Sequence, residues 1–326
     1  MEQGNSRRVS VIIPVFNGEK TIGRALEALL AQDYSNKEII VVDDGSTDRT
    51  GEIVRKISGV VYVLQRNAGP ASARNAGVRQ ARGEIICFTD ADCIAHSDWI
   101  TRLVRGFVET EVAAVAGSYG IANKNSLLAG CIHEEIMYRH RKFMQKYVRA
   151  FGSYNCAIKK NVFDAAGGFD ERYRGASGED NDLSYKILKD GHKIFFEKCA
   201  LVDHHHPAQL KDYLRSQFQH GFWRAKMYRD HPEMSGGDDY TFWKDMVEVA
   251  IVLLSFAAMF LSMIIPQLLS LVVSSLIFLS ILEISFAFII LKKIPDAFYF
   301  AVVMFLRSFA RTIGFLTGSI RVLFIK

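Results

Sequence analysis

The sequence predicts an α/β fold, a mostly parallel sheet wound with helices, followed by a C-terminal transmembrane helical region. Three observations carry this expectation. Short β-branched runs alternate with helical periodicities between Val9 and Asp92, the pattern of right-handed βαβ units. Acidic clusters close the second and fourth of these runs. The composition then changes between Asp245 and Met246, from that of a soluble α/β domain to that of a membrane protein.

Val9 to Val15 is apolar and β-branched, as suits a strand buried on both faces. Thr21 to Gln32 sets Ile22, Leu26, Leu29 and Leu30 at helical spacing. Glu38 to Val42 is a second buried strand, stopped by Asp43-Asp44-Gly45-Ser46. Thr50 to Ser58 reads as a helix and Val60 to Leu64 as a third strand. Asn67 to Ala81 carries Gly69 and Pro70 ahead of an alanine-rich helix, and Glu84 to Phe88 is a fourth strand ending on Thr89-Asp90-Ala91-Asp92. Ligands of such sheets bind beyond the carboxyl ends of the strands. Both acidic clusters fall there.

Beyond Val112 the pattern is less regular. A strand is expected at Ala113–Ser118, a charged helix at Cys131–Tyr147, a helix at Asp182–Lys189 and a strand at Gly191–Phe196. Lys211 to Tyr228 is amphipathic and suits a helix lying on a membrane surface, with Trp223 and Tyr228 at the headgroups. Ser235-Gly236-Gly237-Asp238-Asp239 is the best linker. The expected domains are therefore 1–235, a linker at 236–245 and a membrane region at 246–326.

Within that region 246–265 and 267–291 each hold one charge, Glu248 and Glu283, and each is long enough to cross about 30 Å of hydrocarbon. Pro266 between them implies a helical hairpin, whose return to Lys292-Lys293 keeps that end cytoplasmic by the positive-inside rule. In 297–325, Arg307, Arg311, Gly314, Gly318 and Arg321 share one narrow face. Two arginines near the centre favour an interfacial helix over a third transmembrane helix. Glu283 is expected to pair with Arg307 or Arg311, or else to sit as a charge buried among helices.

The bulk numbers exclude other classes. A net charge of +5, with no compact basic run, argues for no nucleic acid as partner. Five scattered cysteines without a C-x-x-C pair read as reduced, mostly buried thiols. The polar start, Met1 to Arg8, implies no secretory signal peptide, so the soluble part stays on the side of synthesis.

Two carboxylates one residue apart at a strand end, Asp90 and Asp92, can share a hard divalent cation, Mg2+ or Mn2+, which completes its shell with phosphate oxygens. Asp44 can accept from a base or ribose, and Asp48 suits a helix cap. Glu179-Asp180, taken alone, reads as helix capping. His204-His205-His206 cannot all face one ion, and zinc is disfavoured because no second soft ligand set is spaced for it.

Val11-Ile12-Ile13-Pro14-Val15-Phe16-Asn17, Val41-Val42-Asp43-Asp44-Gly45-Ser46-Thr47-Asp48, Asn67-Ala68-Gly69-Pro70-Ala71-Ser72-Ala73-Arg74-Asn75 and Thr89-Asp90-Ala91-Asp92 follow one another at spacings that resemble the signatures of family 2 glycosyltransferases. The resemblance runs on through Gly167-Gly168-Phe169-Asp170-Glu171 and Gly178-Glu179-Asp180-Asn181-Asp182-Leu183, covering roughly 9–230. It implies a GT-A, Rossmann-like fold and an inverting, metal-dependent, hexosyltransferase-type enzyme using a UDP- or GDP-sugar. It also implies that Pro14, Val15, Asn17 and Asp44 hold the nucleotide and that Arg74 lies near base or diphosphate. Asp90 and Asp92 would meet ribose and metal, and Asp180 would be the base, with Glu179 contacting the acceptor or orienting the site. His204 matches a histidine that approaches metal or diphosphate; a merely polar loop is the other reading. Gln217 to Arg224 departs from the Q-x-x-R-W segment of processive relatives, with His220 in fourth place and no Arg-Trp pair. The expected protein is a multi-pass membrane enzyme with its catalytic domain cytoplasmic and a lipid-linked or glycan acceptor. Alternatives are a polyprenyl-phosphate (dolichyl or undecaprenyl) glycosyltransferase, a sugar nucleotidyltransferase, for which Pro14 to Glu19 lacks the Gly-rich phosphate loop, and a non-catalytic membrane subunit.

Overall fold

The computed structural model describes residues 7–324 apart from Ala176, Tyr240 and Phe242. The polar start at 1–6, Tyr240 and Phe242 of the expected linker, and Ile325 in the last expected helix lie outside the described residues. In chain order the elements begin β1 (Val9–Val15), α1 (Ile22–Leu30), β2 (Lys37–Asp43), α2 (Thr50–Arg55), β3 (Val60–Leu64), α3 (Pro70–Gln80) and β4 (Ile85–Thr89). There follow β5 (Cys93–Ala95), α4 (Trp99–Arg105), β6 (Val112–Ile121), α5 (Leu127–Phe143), β7 (Tyr147–Val148), β8 (Asn155–Lys159), α6 (Lys160–Ala165), α7 (Glu179–Lys189) and β9 (Lys193–His204). The chain ends in α8 (Leu210–Asp230), α9 (Trp243–Leu261), α10 (Leu269–Ile290) and α11 (Ile294–Phe324).

The strands form one sheet in the order β3-β2-β1-β4-β8-β6-β9-β5, with β7 also on β9. The first four pair in parallel, and β8 then joins β4 antiparallel, so the sheet is mixed beyond that point. Strand alternation explains why β1 is apolar apart from Ser10. Val11, Ile13 and Val15 enter the core under α1 and α4, while Ile12 enters the core on the opposite face with α3. Asn155 fastens the mixed half: its amide donates to the Ser118 and Ala200 carbonyls at 2.7 and 2.9 Å and accepts from Trp99 Nε1 at 2.7 Å. The strand expected at Gly191–Phe196 runs on to His204 as one strand, β9, because both of its halves pair with β6 across a register shift.

The chain divides into two compact units. The first runs to Ala122 and resumes over Lys142–His205; the second takes Asn123–Arg141 and the chain from His206 on. The division thus falls ahead of the 236–245 stretch. In the second unit α8 lies along α11 rather than alone at a surface. A Cβ on Gly221 would run into the Arg311 carbonyl, and one on Gly314 or Gly318 into the Phe218 or Phe222 carbonyl. Small residues at helical spacing permit such backbone approach.

Two described helical stretches, Pro266–Ile290 and Ile294–Val322, are long and apolar enough to cross a membrane. The first expected hairpin arm differs: α9 opens with three ionic side chains, Lys244, Asp245 and Glu248, all buried. The last helix, expected from sequence to be interfacial, is long and apolar enough to cross a membrane. Its arginines are neutralised inside the unit, Arg307 by Glu135 at 2.7 Å and Arg311 by Asp245 at 2.6 Å. Glu283 pairs with Lys244 at 2.7 Å, not with an arginine. Outward faces are the apolar ones: Ile277, Phe278, Ile281 and Ile289 of α10 are exposed while Ser275 and Glu283 are buried.

Candidate active site

The first unit gathers the acidic motifs at the carboxyl ends of β1, β2 and β4. After β1 the chain turns at Asn17, whose φ of 53° is left-handed. Asn17 and Gly18 are tied to the loop after β2: Asn17 N donates to Ser46 Oγ at 2.9 Å, Thr47 N to Asn17 Oδ1 at 2.8 Å, and Gly18 N to Thr50 Oγ1 at 2.8 Å. Pro14 and Val15 end the strand beneath this loop, Val15 buried and Pro14 half-buried. The N-cap of α2 is Arg49 rather than Asp48; Asp48 stands one residue ahead and ties the helix start by accepting from Thr50 N at 2.9 Å.

Asp44 is buried and already engaged. Oδ1 accepts from Gln65 Nε2 at 2.7 Å and Ala68 N at 2.9 Å, and Oδ2 from Gly69 N at 2.8 Å. It therefore fastens the loop that opens α3. A carboxylate has about four acceptor positions, so capacity for a further donor remains.

Arg74, only 2% exposed, occupies the centre. One terminal nitrogen donates to Asp90 at 2.8 Å and the other to Glu179 at 2.9 Å. A planar guanidinium can hold two carboxylates at a fixed angle, which a lysine cannot. Nearby, Asn75 exchanges hydrogen bonds with the backbone of Phe169 at 2.8 and 3.0 Å, drawing the Gly167–Glu171 motif onto α3.

Glu179 and Asp180 form the first turn of α7 rather than preceding it, because Gly178 takes the left-handed N-cap position at φ 93°. Glu179 is buried, and its second oxygen has no partner among the described residues. Burial, with Asp180 adding and Arg74 opposing, pushes its carboxyl up to about 7. Burial also raises the half-buried Asp180, against the Arg74 charge. Asp182 supports the helix through Lys186 at 2.7 Å.

Asp92 faces a different partner from Asp90. Its Oδ2 lies 3.7 Å from His204 Nε2 at the end of β9. The Tyr119 and Tyr154 rings pack at 5.7 and 6.3 Å from the His204 ring and fix its orientation. Asp92, Cys93 and His204 place one ligand atom each within 4.8 Å of one another. This carboxylate–imidazole pair fits a divalent cation such as Mn2+, with imidazole fitting Mg2+ less well. Of the expected ligands, Asp92 and His204 come together and Asp90 is turned to Arg74. Cys93 was missed. The signal for it was the antiparallel pairing of the short strand after Asp92 with the strand ending at His204, which no local pattern announces. It also removes the reason given against zinc, since a soft ligand does stand beside His204.

The Glycosyl transferase family 2 model matches residues 10–166. The chain is 35% identical over 161 residues to glycosyltransferase GlyA of Streptococcus pneumoniae, covering 48% of this chain and 22% of that protein. It is 31% identical over 227 residues to the probable glycosyltransferase YdaM of Bacillus subtilis, covering 64% of this chain and 53% of that one. The chain thus spans about a fifth and about half of these two relatives. In structure it is similar to mannosyltransferase PcManGT from Pyrobaculum calidifontis, solved with GDP-Man and Mn2+. The TM-score is 0.62 at 20% identity, over 95% of this chain and 87% of that one, a likeness of fold.

Proposed function

We propose, from the premise that this chain belongs to the family 2 glycosyltransferases, that it transfers a sugar with inversion from a UDP- or GDP-sugar to a hydroxyl of a lipid-linked or glycolipid acceptor. The observation that carries the reading is Arg74, which locks Asp90, just after β4, and Glu179 of α7 into one polar centre with Asp180 beside it. The Asn17–Ser46–Thr47 ties and the Asp44 clamp support a nucleotide seat over β1 and β2, with Pro14 and Val15 as its floor. Asp90, oriented by Arg74, would accept from the ribose. Asp92 and His204 would hold Mg2+ or Mn2+, whose charge would offset the developing negative charge of the leaving diphosphate. Asp180, raised by burial above the usual carboxylate value, is suited to take the acceptor proton, and Glu179 acts by positioning Arg74.

The inverted helices support the acceptor class. Apolar faces outward and buried charges inward are what a lipid environment requires, and Lys292 and Lys293 support a cytoplasmic catalytic unit. Asp180→Asn is expected to lower kcat by about a hundredfold or more for a hydroxyl acceptor. A polyprenyl-phosphate acceptor, already an anion, would leave kcat nearly unchanged, and radiolabel transfer to the lipid phase separates the two. For the donor, thermal stabilisation by GDP-mannose and by UDP-sugars with Mn2+ present is the direct measurement. Stabilisation by none of them would sink the reading.

A further inference from the structure

We propose that Cys93 is a third ligand of the Asp92–His204 cation site, and that it makes the site a sink for thiophilic divalent cations, zinc and cadmium, which displace Mn2+ and inhibit. The inference rests on the preceding assignment of Asp92 and His204 as cation ligands and adds what the thiol does there. Cys93 and His204 are direct partners in the antiparallel pairing of β5 with β9, so their side chains leave the sheet on the same face. Asp92 is fastened to the same strand, its carbonyl accepting from His205 N at 3.2 Å. Cys93 Sγ stands 3.8 Å from Asp92 Oδ1, and His204 Nε2 stands 3.7 Å from Asp92 Oδ2. Two ligands bound at about 2.0–2.3 Å to one tetrahedral ion lie roughly 3.5 Å apart. The two distances run to different Asp92 oxygens, but one ligand atom from each residue lies within 4.8 Å of the others, so closing on an ion takes shifts of about 1 Å.

The chemistry of the set decides what it prefers. Carboxylate oxygens suit magnesium and manganese, imidazole suits zinc, and thiolate adds a strong preference for soft cations. Ligation would exchange the Sγ–H bond for an Sγ–metal bond and release the proton to solvent. Cys93 is 1% exposed, whereas the Asp92 side chain is 42% exposed, so entry is from the Asp92 side. Substrate phosphates need open coordination positions, and a soft ion closed by three protein ligands offers fewer of them.

The test uses the full chain in detergent, stripped with chelator and titrated with Cd2+ while ultraviolet thiolate-to-cadmium charge-transfer absorption is followed. The wild type is expected to saturate near one equivalent. Cys93→Ser should lose the band and bind Cd2+ roughly tenfold or more weakly, with Mn2+ binding by electron paramagnetic resonance changed by less than about threefold. Cys199→Ser, which removes the exposed thiol, should keep the band, and circular dichroism checks that each variant is folded. A band that survives in a folded Cys93→Ser protein, or is missing from the wild type, overturns the proposal. Donor binding with Mn2+ is measured in parallel. Donor stabilisation without a cadmium band removes the role of Cys93 alone, and a cadmium band without donor stabilisation upholds Cys93 while the glycosyltransferase reading fails.

Discussion

Arg74 has both terminal nitrogens committed to carboxylates, and the two partners are not equivalent. Asp90 keeps 30% of its side chain exposed, whereas Glu179 keeps 2%. Neutralising Glu179 as Glu179→Gln would leave Arg74 to act more strongly on Asp180, lowering its carboxyl. A base works when ionised, so kcat/KM rises with pH through that carboxyl's value, and the acid limb of the profile should move to lower pH. An unmoved limb would show that Asp180 is not the group that titrates. This centre was half legible. The resemblance marked Arg74, Asp90, Glu179 and Asp180, but the ion pair joins residues 105 apart, and only the fold brings them into contact. Asp44 differs in kind, since its role as clamp of the Ala68–Gly69 backbone has no expression in side-chain pattern.

Among the elements, β1 to β4 were readable because buried strands of a parallel sheet are continuous apolar runs with their breaks at the ligand-binding edge. Short strands were not. β5 has three residues and β7 two, and each is defined by its pairing with β9 rather than by its composition. The glycines of α11 were visible as a face with Arg307 and Arg311, yet what that face meets was not. It meets α8, backbone to backbone. Gly314→Val should therefore be costly, about 1–3 kcal/mol as an overpacked contact, and lower the melting temperature in detergent. The same change at Gly130, where an added Cβ meets nothing within 4 Å, serves as the control and should have a far smaller effect. Equal losses at the two sites would argue for helix propensity rather than packing.

On the scale of the whole molecule, the second unit holds a continuous ionic chain among its described residues. Glu135 links Arg139 and Arg307, Arg139 and Arg311 share Asp245, and Arg307 and Lys244 share Glu248, with Glu283 on Lys244. Four cations face four anions. Burial alone would raise the Glu135 carboxyl, but Arg307 and Arg139 outweigh it and hold it well below the usual range. The sequence exposed the charges but not their pairing, because α5 lies far upstream of the helices it serves. The unit also carries His140 on α5, which burial, followed by His133, lowers to about 4. The unfolded chain gains a proton near pH 6.5 that the folded chain refuses until about 4. Stability should therefore fall as pH drops through that window, by about 3 kcal/mol. His140→Gln should flatten that part of the melting-temperature profile, and an unchanged slope would assign the loss to other groups.

The polypeptide passes from one unit to the other after Ala122, returns at Lys142 and leaves again after His205. A stop codon placed after the last sheet strand would consequently not liberate a self-sufficient soluble enzyme. It would strand α5, whose Glu135 and Arg139 would keep each other but lose Arg307 and Asp245, the partners that bury them. Fragments ending at His205 should aggregate on expression, whereas a fragment that also replaces 123–141 with a short polar loop should stay in the supernatant after ultracentrifugation. Making this protein tractable is thus a matter of excising an insertion as well as trimming a tail.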